Sequence, residues 1–213
     1  YITDVRNDTG DFLRYKFGVT SSDFEVFNVN GCVDILLHHL AADDDGIFEC
    51  PFLFASDVGT AAFFGTESQQ LREYLLKGGF LWADDFWGSA AWDHWESQIA
   101  KVLPPSEYPI EDVDPGDPLL HSLFEVKEIP QITNIQFWRR SGGQETSERG
   151  PDSEDVHFRV IRDKHHRVMV LMTHNTDVAD SWEREGEDPA FFYQFSPAGY
   201  ALGIDVLIHA ETE

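Results

Sequence analysis

Asp84-Asp85 is the acidic pair in this sequence best placed for chemistry. It closes the apolar run Phe80-Leu81-Trp82-Ala83, and a short apolar run bounded by polar residues reads as a buried strand. Ligands of open α/β sheets bind in the crevice outside the carboxyl ends of the strands. Neighbouring strand residues point to opposite faces, so one carboxylate can face that crevice while the other caps the next helix. In the chemical reading, one of the two holds a cation or acts as a general base. In the structural reading, Asp85 braces a turn and Asp84 accepts backbone N–H groups. A second cluster, His174-Asn175-Thr176-Asp177 with Asp180, Trp182 and Glu183, follows the apolar stretch 167–173. If both strands run the same way, the two clusters share one rim. Imidazole, carboxylate and amide oxygen together suit a divalent cation, of unknown identity here. Asp177 could instead orient His174 as an acid–base pair. The structural alternative is an Asx turn with helix capping, and Asp180 and Glu183 at i and i+3 also suit a helix N-terminus. Trp87 is expected to be exposed beside the crevice, where an indole can stack on a sugar face or a cation. Asp84, Asp85, His174 and Asp177 are therefore the catalytic candidates, and Trp87, Asn175, Asp180, Trp182 and Glu183 the binding candidates. No P-loop or GxGxxG pattern follows a strand, so no nucleotide cofactor is expected.

The elements that must position these residues follow from periodicity. Residues 1–23 include a stretch suited to an edge strand, and Phe24–Phe27 alternates as a short strand. Asn28 or Asn30 can cap a helix over 33–40, closed by Asp43-Asp44-Asp45-Gly46. The apolar run 47–56 predicts a strand buried on both faces. Thr66 and Gln69 frame a capping box for a helix over 67–77, stopped by Gly78-Gly79. A further helix runs from Ser89 to Val102 and ends at Pro104-Pro105. Residues 141–155 read as a flexible polar excursion. The segments 157–161 and 167–172 are strands about a turn, and Ser196-Pro197 opens a last helix over 198–210. The alternation of strands and helices predicts one α/β domain over 1–213, three-layered, with a mainly parallel sheet.

Composition limits the partners. Lys and Arg total 15 against 39 Asp and Glu, a formal charge of −24. A chain so acidic repels phosphate backbones, so nucleic acid is not an expected partner. No run is long and apolar enough to span a bilayer. Two cysteines, Cys32 and Cys50, are too few for a disulfide scaffold; two buried thiols and one disulfide both stay open. Tyr1 is not an initiator Met, so a processing boundary is expected before it, compatible with a removed signal peptide.

Four segments carry a family resemblance. LREYLLKGGFLWADDFWG (71–88), HNTDVADSWE (174–183), YALGIDVLIHAET (200–212) and CPFLFAS (50–56) together resemble a bacterial domain-of-unknown-function family, number 4159. The resemblance covers most of 28–212. Ala179 stands where that family often has Gly. It implies a flavodoxin-like, class I glutamine-amidotransferase-like fold, near the trehalose-utilisation-type proteins. It also implies an exported, periplasmic setting, with a cytoplasmic one as the alternative. No established reaction comes with it. The amidotransferases need a nucleophilic Cys on a sharp strand-to-helix turn. The matching turns here carry Ser56–Gly59 or Ala83–Phe86, so glutamine hydrolysis by a Cys triad is excluded. The leading expectation is a module binding a small molecule or a protein partner in the cell envelope. The alternatives are a carboxylate- and His-dependent hydrolase, metal-assisted, acting on a small or carbohydrate-like substrate, and a structural part of a larger envelope complex.

Overall fold

The computed structural model describes residues 26–27, 47–48 and 51–212. The helix expected over 33–40, the edge strand expected within 1–23, and Cys32 and Cys50 lie outside the described residues.

Six strands form one sheet: β1 (Val26–Phe27), β2 (Phe52–Ser56), β3 (Phe80–Phe86), β4 (Ile110–Asp112), β5 (His157–Arg162) and β6 (Val168–His174). Their order across the sheet is β1-β2-β3-β6-β5-β4. The neighbours β2–β3 and β3–β6 run parallel, whereas β1–β2, β6–β5 and β5–β4 run antiparallel. The sheet is therefore mixed rather than mainly parallel. For the β5–β6 pair the cause lies in the short turn between them, because strands joined so tightly can only pair antiparallel. The Asp163 carboxylate fixes that turn by accepting the N–H groups of His165 (2.8 Å) and Arg167 (3.1 Å).

Helices cover both faces. On one side lie α1 (Gly65–Leu76) and α2 (Gly88–Val102), whose Leu71, Leu75, Trp95 and Ile99 pack on Leu53, Leu81 and Met172. On the other side lie α3 (Ile135–Arg140), α4 (Asp180–Glu183) and α5 (Pro189–Thr212). There Phe191, Leu202 and Val206 of α5 meet Phe52, Trp82 and Leu171. Strand residues thus alternate between two cores, as a sheet buried on both faces requires.

Boundaries differ from the sequence reading at several points. The strand expected over 47–56 begins at Phe52, and residues 47–48 form a 3-10 turn instead. Helix α1 starts at Gly65, and Glu67 rather than Thr66 supplies the cap: its carboxylate accepts the Phe64 N–H at 2.8 Å. Helix α5 starts at Pro189, so Pro197 lies inside it. The start signal is Asp188-Pro189: Asp188 accepts the Ala190 N–H at 2.8 Å and Pro189 occupies the first turn. Pro197 is tolerated on the exposed side, where water can satisfy the freed carbonyl one turn back. The stretch 141–155 is tied to the body by hydrogen bonds. Glu148 accepts from Thr133 Oγ1–H (2.9 Å) and Asn134 N–H (2.7 Å), and Asp152 accepts from Ser89 N–H (2.9 Å).

Candidate functional site

The three parallel strands end on one rim, and each ends in an irregular turn. Asp57 (φ 58°) follows β2, Asp85 (φ 56°) lies near the end of β3, and Asn175 (φ 65°) follows β6. Left-handed backbone is disfavoured for residues with a Cβ, least so for Asn and Asp, and it gathers at functional or strained sites. At Asp85 it makes a bulge, where the β3–β6 register shifts between Ala83 and Phe86. The shift sends Phe86 into the same core as Ala83 instead of the opposite one. A bulge of this kind re-aims side chains. Asp85 is left half-buried at the rim, where it accepts hydrogen bonds from Ser56 Oγ–H (3.2 Å) and Trp87 Nε1–H (3.0 Å).

Asp84 turns the other way and is fully buried. Its Oδ1 accepts from Thr173 Oγ1–H (2.5 Å) and its Oδ2 from Ala179 N–H (3.1 Å). Thr173 Oγ1 accepts in turn from Trp82 Nε1–H at 2.8 Å. Burial pushes the Asp84 carboxyl up from 3.8 to about 7, against the opposing pull of its hydrogen bonds.

His174 is buried on the opposite face of the sheet, 4% exposed. Its Nε2 lies 3.0 Å from the Gly88 carbonyl, which can only accept, so the ring carries its proton on Nε2. Its Nδ1 has no hydrogen-bond partner among the described residues. The ring stacks between Phe86 (4.9 Å) and His157 (5.4 Å), which are its cross-strand neighbours in register. Trp92 of α2 covers the row at 5.4 Å from His174, and the Arg159 guanidinium lies 4.1 Å over Trp92. Burial lowers the His174 pKa from 6.5 to about 4, so the ring is neutral at physiological pH.

The remaining candidates hold the turn after β6 in place. Asn175 accepts from Gly88 N–H (2.8 Å) and donates to the Asp155 carbonyl (2.7 Å). Asp177 accepts from Asp180 N–H (3.0 Å), and Asp180 accepts from Ile135 N–H (3.1 Å) and lies 3.6 Å from Arg184 Nε. Both carboxylates are fully buried. Glu183 is half-buried on α4, its N–H bonded to the Ala179 carbonyl. Trp182 is half-buried in an aromatic cluster with Phe54, Trp82 and Tyr200. Trp87, expected to be exposed, is 7% exposed: its indole folds back so that Nε1 can reach Asp85.

The structure therefore joins the side chains of Asp85 and Trp87, and the two clusters meet at one rim through backbone: the Asp85 N–H donates to the Thr176 carbonyl (3.2 Å) and the Asn175 N–H to the Phe86 carbonyl (2.9 Å). Asp84 and His174 face opposite cores; His174 Nε2–H donates to the Gly88 carbonyl and Asp177 Oδ1 accepts the Asp180 N–H. Among the described residues no three or more His, Cys, Asp or Glu side chains converge on one point fit for a metal ion. No helix among them is long and apolar enough to cross a membrane. Sequence reasoning missed the parts played at the rim by Ser56 and Asp57. The signal was present, because the buried run Phe52-Leu53-Phe54-Ala55 ends there in two polar residues. It also missed His157 beside His174, for which no sequence signal exists.

A family model described as a domain of unknown function, DUF4159, matches residues 32–210. No curated protein matches the chain.

Proposed function

Because the chain belongs to the DUF4159 domain family, described as of unknown function, we propose its role from its own residues: a non-catalytic binding module whose ligand meets the rim at Ser56, Asp57 and Asp85. The observation that carries this reading is the division of the carboxylates. Asp84, Asp177 and Asp180 are sealed in the interior as acceptors for backbone N–H groups, while Asp57 is exposed and Asp85 half-buried at the strand ends. A rim offering carboxylates and a hydroxyl suits a small ligand that brings hydrogen-bond donors or positive charge. A hydrolase built on Asp84 with His174 would need groups on opposite faces of the sheet to reach one bond, which favours binding over catalysis. On the resemblance, we also propose kinship with the glutamine-amidotransferase-like folds and a place in the cell envelope. Cell fractionation tests the location.

Thermal melts against a panel of divalent cations, polyamines and monosaccharides test the rim. A ligand that binds only the native state raises Tm in proportion to its concentration above Kd. The expected result is a shift that Asp85→Asn abolishes and that Asp84→Asn leaves intact. A shift lost in Asp84→Asn but kept in Asp85→Asn, or no shift with any of these probes, sinks the proposal.

A further inference from the structure

The polar stretch between α3 and β5 crosses the rim beside the ends of β3 and β6. It begins at Gly142-Gly143, both at positive φ (69° and 77°), a backbone state that glycine enters freely. It ends at Val156, where β5 starts. Between those ends the chain braces itself. Ser153, 1% exposed, accepts the Arg149 N–H at 2.8 Å and lies 2.8 Å from Ser147 Oγ. Ser147 in turn donates to the Gly150 carbonyl at 2.6 Å. No apolar side chain of 144–156 is buried: Pro151 is exposed and Val156 half-buried.

Side-chain hydrogen bonds clasp this piece to the body. Asp152 accepts both the N–H and the hydroxyl of Ser89, at 2.9 and 3.2 Å. Glu148 accepts the Asn134 N–H at 2.7 Å. Gln131 donates to the Ser153 carbonyl at 2.8 Å, and Asn175 to the Asp155 carbonyl at 2.7 Å. Such bonds return little net free energy, because water replaces each partner on opening. A segment with few buried apolar contacts therefore opens at a cost well below that of unfolding. A self-braced loop with a glycine pair at one end has the parts of a lid.

His174 lies beside every clasp on the α2 side. Asp152 holds Ser89, the residue after Gly88, whose carbonyl accepts the His174 Nε2 proton. Asp155 holds Asn175, the residue after His174. His157, the first residue past the stretch, stacks on the His174 ring. The Nδ1 atom keeps a lone pair with no hydrogen-bond partner among the described residues.

We propose that residues 144–156 are a hinged lid, clasped by Asp152 and Glu148, that governs the access of small molecules to the His174 imidazole. The proposal does not rest on a ligand at Asp85.

Hydrogen exchange followed amide by amide in NMR spectra tests it. Ser89 and Asn134 belong to the body while their acceptors belong to the lid, so both amides report its opening. In the wild type they should share one opening constant that dilute urea hardly changes, whereas exchange in β6 should rise steeply with urea. Asp152→Ala should speed exchange at Asn134, and Glu148→Ala at Ser89, by about fivefold to tenfold, although neither variant touches that amide. Diethylpyrocarbonate, which acylates a neutral imidazole nitrogen, should label His174 faster by a similar factor in both variants, as located by peptide mass spectrometry. Circular dichroism checks that the variants are folded, and the urea readout needs only the wild type. A urea dependence at Ser89 and Asn134 equal to that of β6 overturns the proposal. So does acceleration confined to the amide whose own acceptor was removed, or His174 labelling that stays at the wild-type rate.

Discussion

Removing the charge from Asp84 should change how stability depends on pH, and the direction follows from its burial. Its carboxyl is raised from 3.8 to about 7 in the folded protein. Between those values the folded protein holds a proton that the unfolded chain has released. Its contribution to stability is therefore full below about pH 4 and is lost as pH rises toward 7. About three pH units at about 1.4 kcal/mol each make a span of about 4 kcal/mol. His174 works in the opposite direction. Its pKa falls from 6.5 to about 4, so its contribution is full above about pH 6.5 and is lost as pH falls, over a span of about 3 kcal/mol. The two slopes oppose each other and partly cancel in the wild type. Asp84→Asn should expose the His174 slope, and His174→Phe, which keeps the ring in its stack, should expose the Asp84 slope. Urea unfolding from about pH 5.5 to about pH 8 stays clear of the isoelectric point near 4.5. Over that range Asp84→Asn should gain about 2 kcal/mol relative to wild type as pH rises, and His174→Phe should lose about 1 kcal/mol. Differences from wild type that stay flat with pH, or that run the other way, would refute the assignment of these two buried groups.

Three further outcomes can be checked by denaturant melts. Asp152→Ala should cost about 1 kcal/mol, because the Ser89 N–H and hydroxyl at the start of α2 both lose their acceptor. Gly199→Ala should cost about 2 kcal/mol or more, since a new Cβ would sit 1.9 Å from Ser181 Oγ and 2.5 Å from its Cβ where α5 crosses α4. Asp205→Ala should cost about 3 kcal/mol, because a fully buried carboxylate leaves the Leu123 and Phe124 N–H groups, both at 2.8 Å, without their acceptor.

Where local pattern alone decides, the fold was legible. The apolar run ending at Asp84 and the helix closed by Gly78-Gly79 follow from periodicity and punctuation that need no distant partner. The direction of the sheet's outer half was not carried through, although the Asp163 turn was visible, because strand pairing is a long-range property. The start of α5 was misplaced because Asp188-Pro189 and Ser196-Pro197 carry the same signal, and only packing against the sheet selects the first. At the site, the alternation rule separated Asp84 from Asp85 correctly. It could not say that Asp85 forms a bulge, nor that Trp87 turns inward, because both depend on backbone from β2 and β6 arriving at the same place.

The placement of β6 also bears on how the chain reaches this structure. All seven of its residues are buried, and it is bonded to β5 on one side and β3 on the other. The β5 edge is a hairpin with a short turn, a local contact that costs little chain entropy and can close in microseconds. The β3 edge must be brought in from across half the sequence, and pairing over such separations is slow. Until β3 arrives, the hairpin offers an unpaired apolar edge of the kind that invites wrong strands. The order of events should therefore be a fast hairpin and a slow closure of the parallel half. The slow step is where crowding during synthesis, or a chaperone that shields an edge, would have most to act on.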